Sequence, residues 1–114
     1  MSIFLNGIDA KYITMEVGET LTPGKVCFIQ SNCTVDDAPE DESFLGVTKA
    51  IRGDLATVQI AGYVTLPYTG KMYAPGFQHI CADANGGVKL AELGGREHFI
   101  FNIDETNKTV SLFL

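Results

Sequence analysis

The apolar positions of this chain recur mainly with a period of two. Between residues 44 and 70 the pattern is clearest: Ala56, Val58, Ile60, Gly62, Val64 and Leu66 are apolar or small, and Thr57, Gln59 and Thr65 stand between them. That is the period of a strand with one covered face, whereas a helix would scatter the same residues around its circumference. Arg52-Gly53-Asp54 separates this long arm from a shorter one that begins at Phe44, which predicts a β-hairpin turning at the glycine. Gly62 interrupts the long arm where a bulge or bend would let one run serve two parts of a small barrel. Pro67, which lacks an N–H donor, ends its ladder.

The same reading extends along the chain. Ile13, Met15 and Val17 alternate with Tyr12, Thr14 and Glu16, predicting a strand over residues 11–17 with one wet face. Gly18-Glu19 and Pro23-Gly24 are turn signals, and the continuous run Val26-Cys27-Phe28-Ile29 suits a strand covered on both faces. Residues 36–42, DDAPEDE, predict a solvated acidic loop. The turn at Pro75-Gly76 precedes a run over 77–82, much as Pro23-Gly24 precedes 26–30, a weak sign of an internal repeat. Asn85-Gly86-Gly87 and Gly94-Gly95 mark hairpins before strands at 88–91 and 98–103, and a last hairpin turns at 104–108. Val110, Leu112 and Leu114 then alternate with Thr109 and Ser111. The expectation is an all-β single domain over residues 1–114: a small barrel or sandwich of about eight to ten short strands with hairpins and little or no helix. Residues 1–9 form an N-terminal arm or an edge strand.

Composition sharpens this picture. A chain of 114 residues, 46% hydrophobic and 19% charged, can bury a core without staples, and twelve glycines suit many short elements joined by turns. A net charge of -6 with no basic cluster repels phosphate backbones, so nucleic acid is not an expected partner. No run approaches the eighteen apolar residues of a membrane helix, and the N-terminus lacks the pattern of a secretory leader, so synthesis in the cytoplasm without a membrane partner is expected. The odd count of Cys27, Cys33 and Cys81 favours reduced, partly buried thiols over a disulfide framework. Without a secretory route, the acceptor patterns at Asn32 and Asn107 are discounted as glycosylation sites.

Candidate chemistry is sparse. The acidic loop lacks the alternating oxygen ligands and central glycine of a calcium loop. His79 and Cys81 share a strand face, but a metal site needs more ligands than two, and buried structural cysteines are the plainer reading. No nucleophile elbow, zinc-protease helix or phosphate-cradling loop is present, and His98 stands apart from any serine nucleophile signature. The expectation is a protein without catalysis, cofactor or metal. Arg52-Gly53-Asp54 is also an integrin-type tripeptide, but the hairpin turn explains it better. The surfaces expected to bind a partner are the apolar segment Ile3, Phe4 and Leu5 and the loop carrying Tyr68, Met72 and Tyr73, because aromatic and methionine side chains bury much area.

The order of these signals resembles small bacteriophage capsid decoration (head-stabilising) proteins. Over residues 11–91 the likeness runs from the first strand through Gly18-Glu19, Pro23-Gly24, the apolar strand and the acidic loop. It continues through Leu45-Gly46-Val47 and the hairpin to Val58-x-Ile60-x-Gly62-x-Val64-x-Leu66-Pro67. The resemblance implies a small barrel with an appended sheet and a non-enzymatic homotrimer. It implies further that the trimer, made in the bacterial cytoplasm, joins a virion by binding its capsid protein lattice. Several such proteins carry an Ala/Gly/Thr/Pro-rich N-terminal arm, whereas residues 2–9 here are apolar and turn-like. Two alternatives stay open: a carbohydrate- or host-recognition β-module, for which Tyr63, Tyr68 and Tyr73 would serve, and a phage tail accessory protein. Tryptophan, the strongest stacking platform, is absent.

Overall fold

The computed structural model describes residues 10–72 and 74–114, and among them it is a small all-β single domain. Ten strands follow in order: β1 (Lys11–Val17), β2 (Val26–Ser31), β3 (Thr34–Asp37), β4 (Gly46–Arg52), β5 (Leu55–Ala61), β6 (Tyr63–Pro67), β7 (Gly76–Ala82), β8 (Val88–Leu90), β9 (Arg96–Asp104) and β10 (Thr109–Phe113). The first five close into a barrel in the order β1-β3-β2-β4-β5, with β5 returning antiparallel to β1. The last five form a sheet in the order β6-β10-β9-β7-β8.

The division falls at Gly62. Its φ of +89° is a backbone setting that side chains disfavour, and a Cβ there would stand 2.8 Å from the Cα of Ala10. The alternating run therefore bends once, with Ala56 and Val58 buried in the barrel and Val64 and Leu66 buried under the sheet. Gln59 holds the bend, because its buried side-chain amide donates to the carbonyls of Ala61 at 2.9 Å and Tyr63 at 3.2 Å. At the other end of β5 the hairpin turns at Gly53, with Arg52 opposite Leu55.

Two apolar clusters result. Cys27, Val35, Ala56 and Val58 fill the barrel, and Ile13, Met15 and Val17 of β1 line it. A larger cluster joins the halves: Val26, Phe44 and Val47 from the barrel side meet Val64, Leu66, Ile80, Ile100, Val110 and Leu112 from the inner face of the sheet.

Two sequence expectations are corrected. The run 26–29 is covered only at its start, since β2 pairs with β4 at Val26 and Cys27 alone. Beyond them β2 and β3 continue as a two-stranded ribbon that leaves Ile29 47% exposed. The acidic segment is not wholly a loop, because Asp36 and Asp37 belong to β3. Asp36 accepts from the amide and hydroxyl of Thr20 at 3.0 and 2.8 Å, and Asp37 accepts from the amide and hydroxyl of Thr22 at 2.9 and 2.8 Å. Carboxylates that satisfy backbone and hydroxyl donors can sit in a strand beside a turn. The N-terminal arm or edge strand lies outside the described residues.

Candidate interaction surface

The second sheet has an apolar inner face, as expected, but its outer face is not simply polar. Phe77 on β7 lies directly opposite Phe99 on β9, and Phe113 on β10 lies directly opposite Tyr63 on β6. Between them the register of β9 against β10 slips: Ile100 pairs with Leu112 and Asn102 with Ser111, leaving Phe101 as an extra residue. This bulge reverses the alternation that follows it, so Ile103 opposite Val110 packs toward the core while Phe99 and Phe101 stay outside. The outcome is a continuous aromatic row. Phe77 and Phe99 have ring centroids 5.0 Å apart, Phe99 and Phe113 6.3 Å, Phe113 and Phe101 5.2 Å, and Phe101 and Tyr63 5.9 Å.

These spacings are those of mutually attractive rings, so the row is pre-organised. It is also accessible: Phe77 is 68% exposed and Phe99 39%. Rings held by cross-strand neighbours lose little further freedom when covered, and covering one fully is worth roughly 1.5–3 kcal/mol. Beside Phe101 an open groove of about 560 Å³ continues the surface, lined by Met72, Pro75, Asn102, Ile103, Asp104 and Glu105. Asp104 closes the following turn by accepting from Asn107, and these bonds hold its carboxyl below the usual carboxylate range.

Behind the row, His98 is buried and its ring stacks on Phe44 with centroids 5.0 Å apart. Its Nδ1 lies 2.8 Å from the carbonyl of Phe113, which can only accept, so that nitrogen carries the proton. Its Nε2 has no hydrogen-bond partner among the described residues, and burial lowers the pKa. This histidine braces β9 against the end of β10, at the position where Phe113 enters the row.

Of the sequence-predicted contact residues, the two that are described fall elsewhere. Ile3, Phe4, Leu5 and Tyr73 lie outside the described residues. Tyr68 and Met72 are 5% and 3% exposed and belong to the core, which corrects the expectation of an exposed loop. The backbone explains it: the amide of Tyr68 bonds to the carbonyl of Lys108 and that of Thr69 to Val88, drawing the segment across the end of the sheet. The ammonium of Lys108 then lies 4.5 Å from the centre of the Tyr68 ring. Of the two described aromatics named for the recognition alternative, Tyr63 is in the row and Tyr68 is in the core. The row itself was missed because Phe99, Ile100 and Phe101 are apolar in succession, so the two faces of this strand cannot be told apart without the bulge.

His79 is exposed and Cys81 buried, two residues apart on β7. No group of three or more metal-ligating side chains occurs among the described residues. Cys27 and Cys81 are free thiols whose pKa values are raised by burial, and Cys33 is free and exposed.

The fold and this surface define a class: a small all-β domain with a row of aromatic rings on the outer face of its second sheet. No protein-family model matches the chain, and no curated protein matches it.

Proposed function

We propose that this protein is a structural subunit of a virion of the capsid-decorating kind, which associates with itself, as a homotrimer, and with a capsid protein lattice, without catalysis. The observation that supports the reading is the aromatic row: five rings across β7, β9, β10 and β6, held by a rigid sheet and exposed at Phe77 and Phe99. Aromatic side chains concentrated on one exposed face are the composition of protein–protein contact cores. Lattice binding suits small contacts, since subunits held together make each further contact effectively intramolecular and raise avidity by roughly 10²-fold or more. The acidic surface, with its net charge of -6, favours a protein shell over packaged nucleic acid as the partner.

A row of rings is also a platform for stacking sugars, which keeps the recognition-module reading as the second one. Particles stripped of the protein separate the two. Purified shells of the virus that carries this gene should rebind the protein in fixed proportion and gain heat resistance from it, and Phe77→Ser with Phe99→Ser should reduce both effects. Shells that neither bind the protein nor gain heat resistance would overturn decoration, and retention on a polysaccharide column would favour recognition.

A further inference from the structure

We infer that His98 is an acid-sensitive latch on the aromatic row: the neutral ring ties the end of β10 in place, and protonation releases it, so that association through the row weakens as pH falls. The inference rests on the self-association reading above and names what regulates that surface. The β9–β10 ladder ends with Leu112 opposite Ile100, one residue short of Phe113. The carbonyl of Phe113 is held instead by the imidazole of His98, whose Nδ1 lies 2.8 Å away. A side chain that titrates close to neutrality thus takes the place of a ladder bond. Phe113 is the middle ring of the row, with Phe99 at 6.3 Å on one side and Phe101 at 5.2 Å on the other. Movement of this strand end therefore parts the row at its centre.

The slot around the ring suits an imidazole and opposes an imidazolium. One face of the ring lies against Phe44 with only 3° between the planes. Nε2 is buried and has no hydrogen-bond partner among the described residues, so a second N–H there would be a charged donor without an acceptor. The packed neighbours supply no counter-charge. Among the described residues the charged group that acts on the ring is Arg96, two positions earlier on β9 and of the same sign as the imidazolium. Gln78 opposite it on β7, Phe44 ahead of β4 and Phe113 on β10 are uncharged. Burial and Arg96 both oppose the proton, and the bond to Phe113 does not offset them, so the ring in place resists protonation and the ring turned out to water accepts it. Acid accordingly favours the turned-out ring, which has let go of Phe113.

Amide exchange and light scattering on the full-length protein, from about pH 8 to about pH 4.5, test the latch. The amide of Leu114, which bonds to the carbonyl of Gly62 at 2.9 Å, reports the end of β10, and the amides of β5 report the barrel. Protection of Leu114 should fall by about tenfold or more in step with the titration of the His98 ring seen by nuclear magnetic resonance, while β5 keeps its protection. The oligomer mass should fall over the same range, and His98→Gln, which stays neutral, should hold both the mass and Leu114 into acid. The wild-type comparison of ring titration with Leu114 exchange decides even where the variant folds poorly. Protection at Leu114 that ignores the ring's titration, or is lost together with that of β5, would overturn the latch, as would a mass that stays constant while Leu114 loosens. An oligomer that dissociates identically in His98→Gln would overturn the latch and leave self-association intact. A monomer at every pH whose Leu114 protection still follows His98 would contradict self-association and leave the latch standing.

Discussion

The two halves of this protein treat their surfaces differently. In the barrel half the strands close on one another except where β2 and β3 run on as a ribbon, and the alternation of β1 points inward: Ile13, Met15 and Val17 line the interior while Thr14 and Glu16 face water. In the sheet half, one face is spent on the shared core, and the other still carries Phe77, Phe99, Phe101, Phe113 and Tyr63. Packing accounts for the first face of the sheet but not for the second. A sheet exposing rings where threonine or lysine would suffice gives up solubility, and the proposed contact with a partner would be the compensating use. The contrast places stability in the barrel and the seam, and leaves the outer sheet as the surface for the proposed interaction.

The largest expected effect comes from cutting the seam. Leu112→Ala removes a fully buried side chain from the cluster that joins the halves and should cost about 3 kcal/mol. If the seam makes one cooperative unit, barrel and sheet will still melt together in denaturant titrations followed by circular dichroism and amide exchange. Two separated transitions would break the picture of a shared core. Next comes the bend, where Gly62→Val imposes a β-branched side chain at positive φ and drives its Cβ into Ala10. A loss of about 2 kcal/mol or more is expected from the denaturant midpoint, and a neutral result would mean that the bend is not constrained.

A third effect depends on acid. Burial lowers the pKa of His98 below its ordinary value of 6.5, so the unfolded chain takes up its proton first as pH falls. Its contribution is complete above pH 6.5 and is lost progressively as pH drops through and below that value, loosening the brace behind Phe113. Melting temperature should therefore fall on acidification, and His98→Gln should flatten that part of the profile. An unchanged profile in the variant would contradict a neutral buried ring. The smallest effect on stability is expected at the row itself: at concentrations where the protein is monomeric, Phe77→Ser should lower the unfolding free energy by no more than about 0.5 kcal/mol, because its ring is mostly in water there.

Much of the barrel was legible in the sequence and little of the surface was. The run through Gly62 disclosed both the long hairpin and the place where it changes partner, because period-two alternation and a glycine are local signals. Strand β3 was hidden by its own aspartates, which read as solvated until Thr20 and Thr22, distant in sequence, supply their donors. Tyr68 and Met72 looked exposed because a loop rich in turn residues gives no sign of being drawn over the end of a sheet. The aromatic row depends on cross-strand register and on the bulge at Phe101, and both are fixed by residues far apart in the chain.

The most direct test of an interacting outer sheet is the solution mass of the intact protein and of Phe77→Ser/Phe99→Ser, measured by light scattering across a wide concentration range. The account predicts an oligomer for the intact chain and, for the double variant, a folded monomer whose melting no longer depends on protein concentration. A monomer in both cases, or equal oligomer masses, would contradict it.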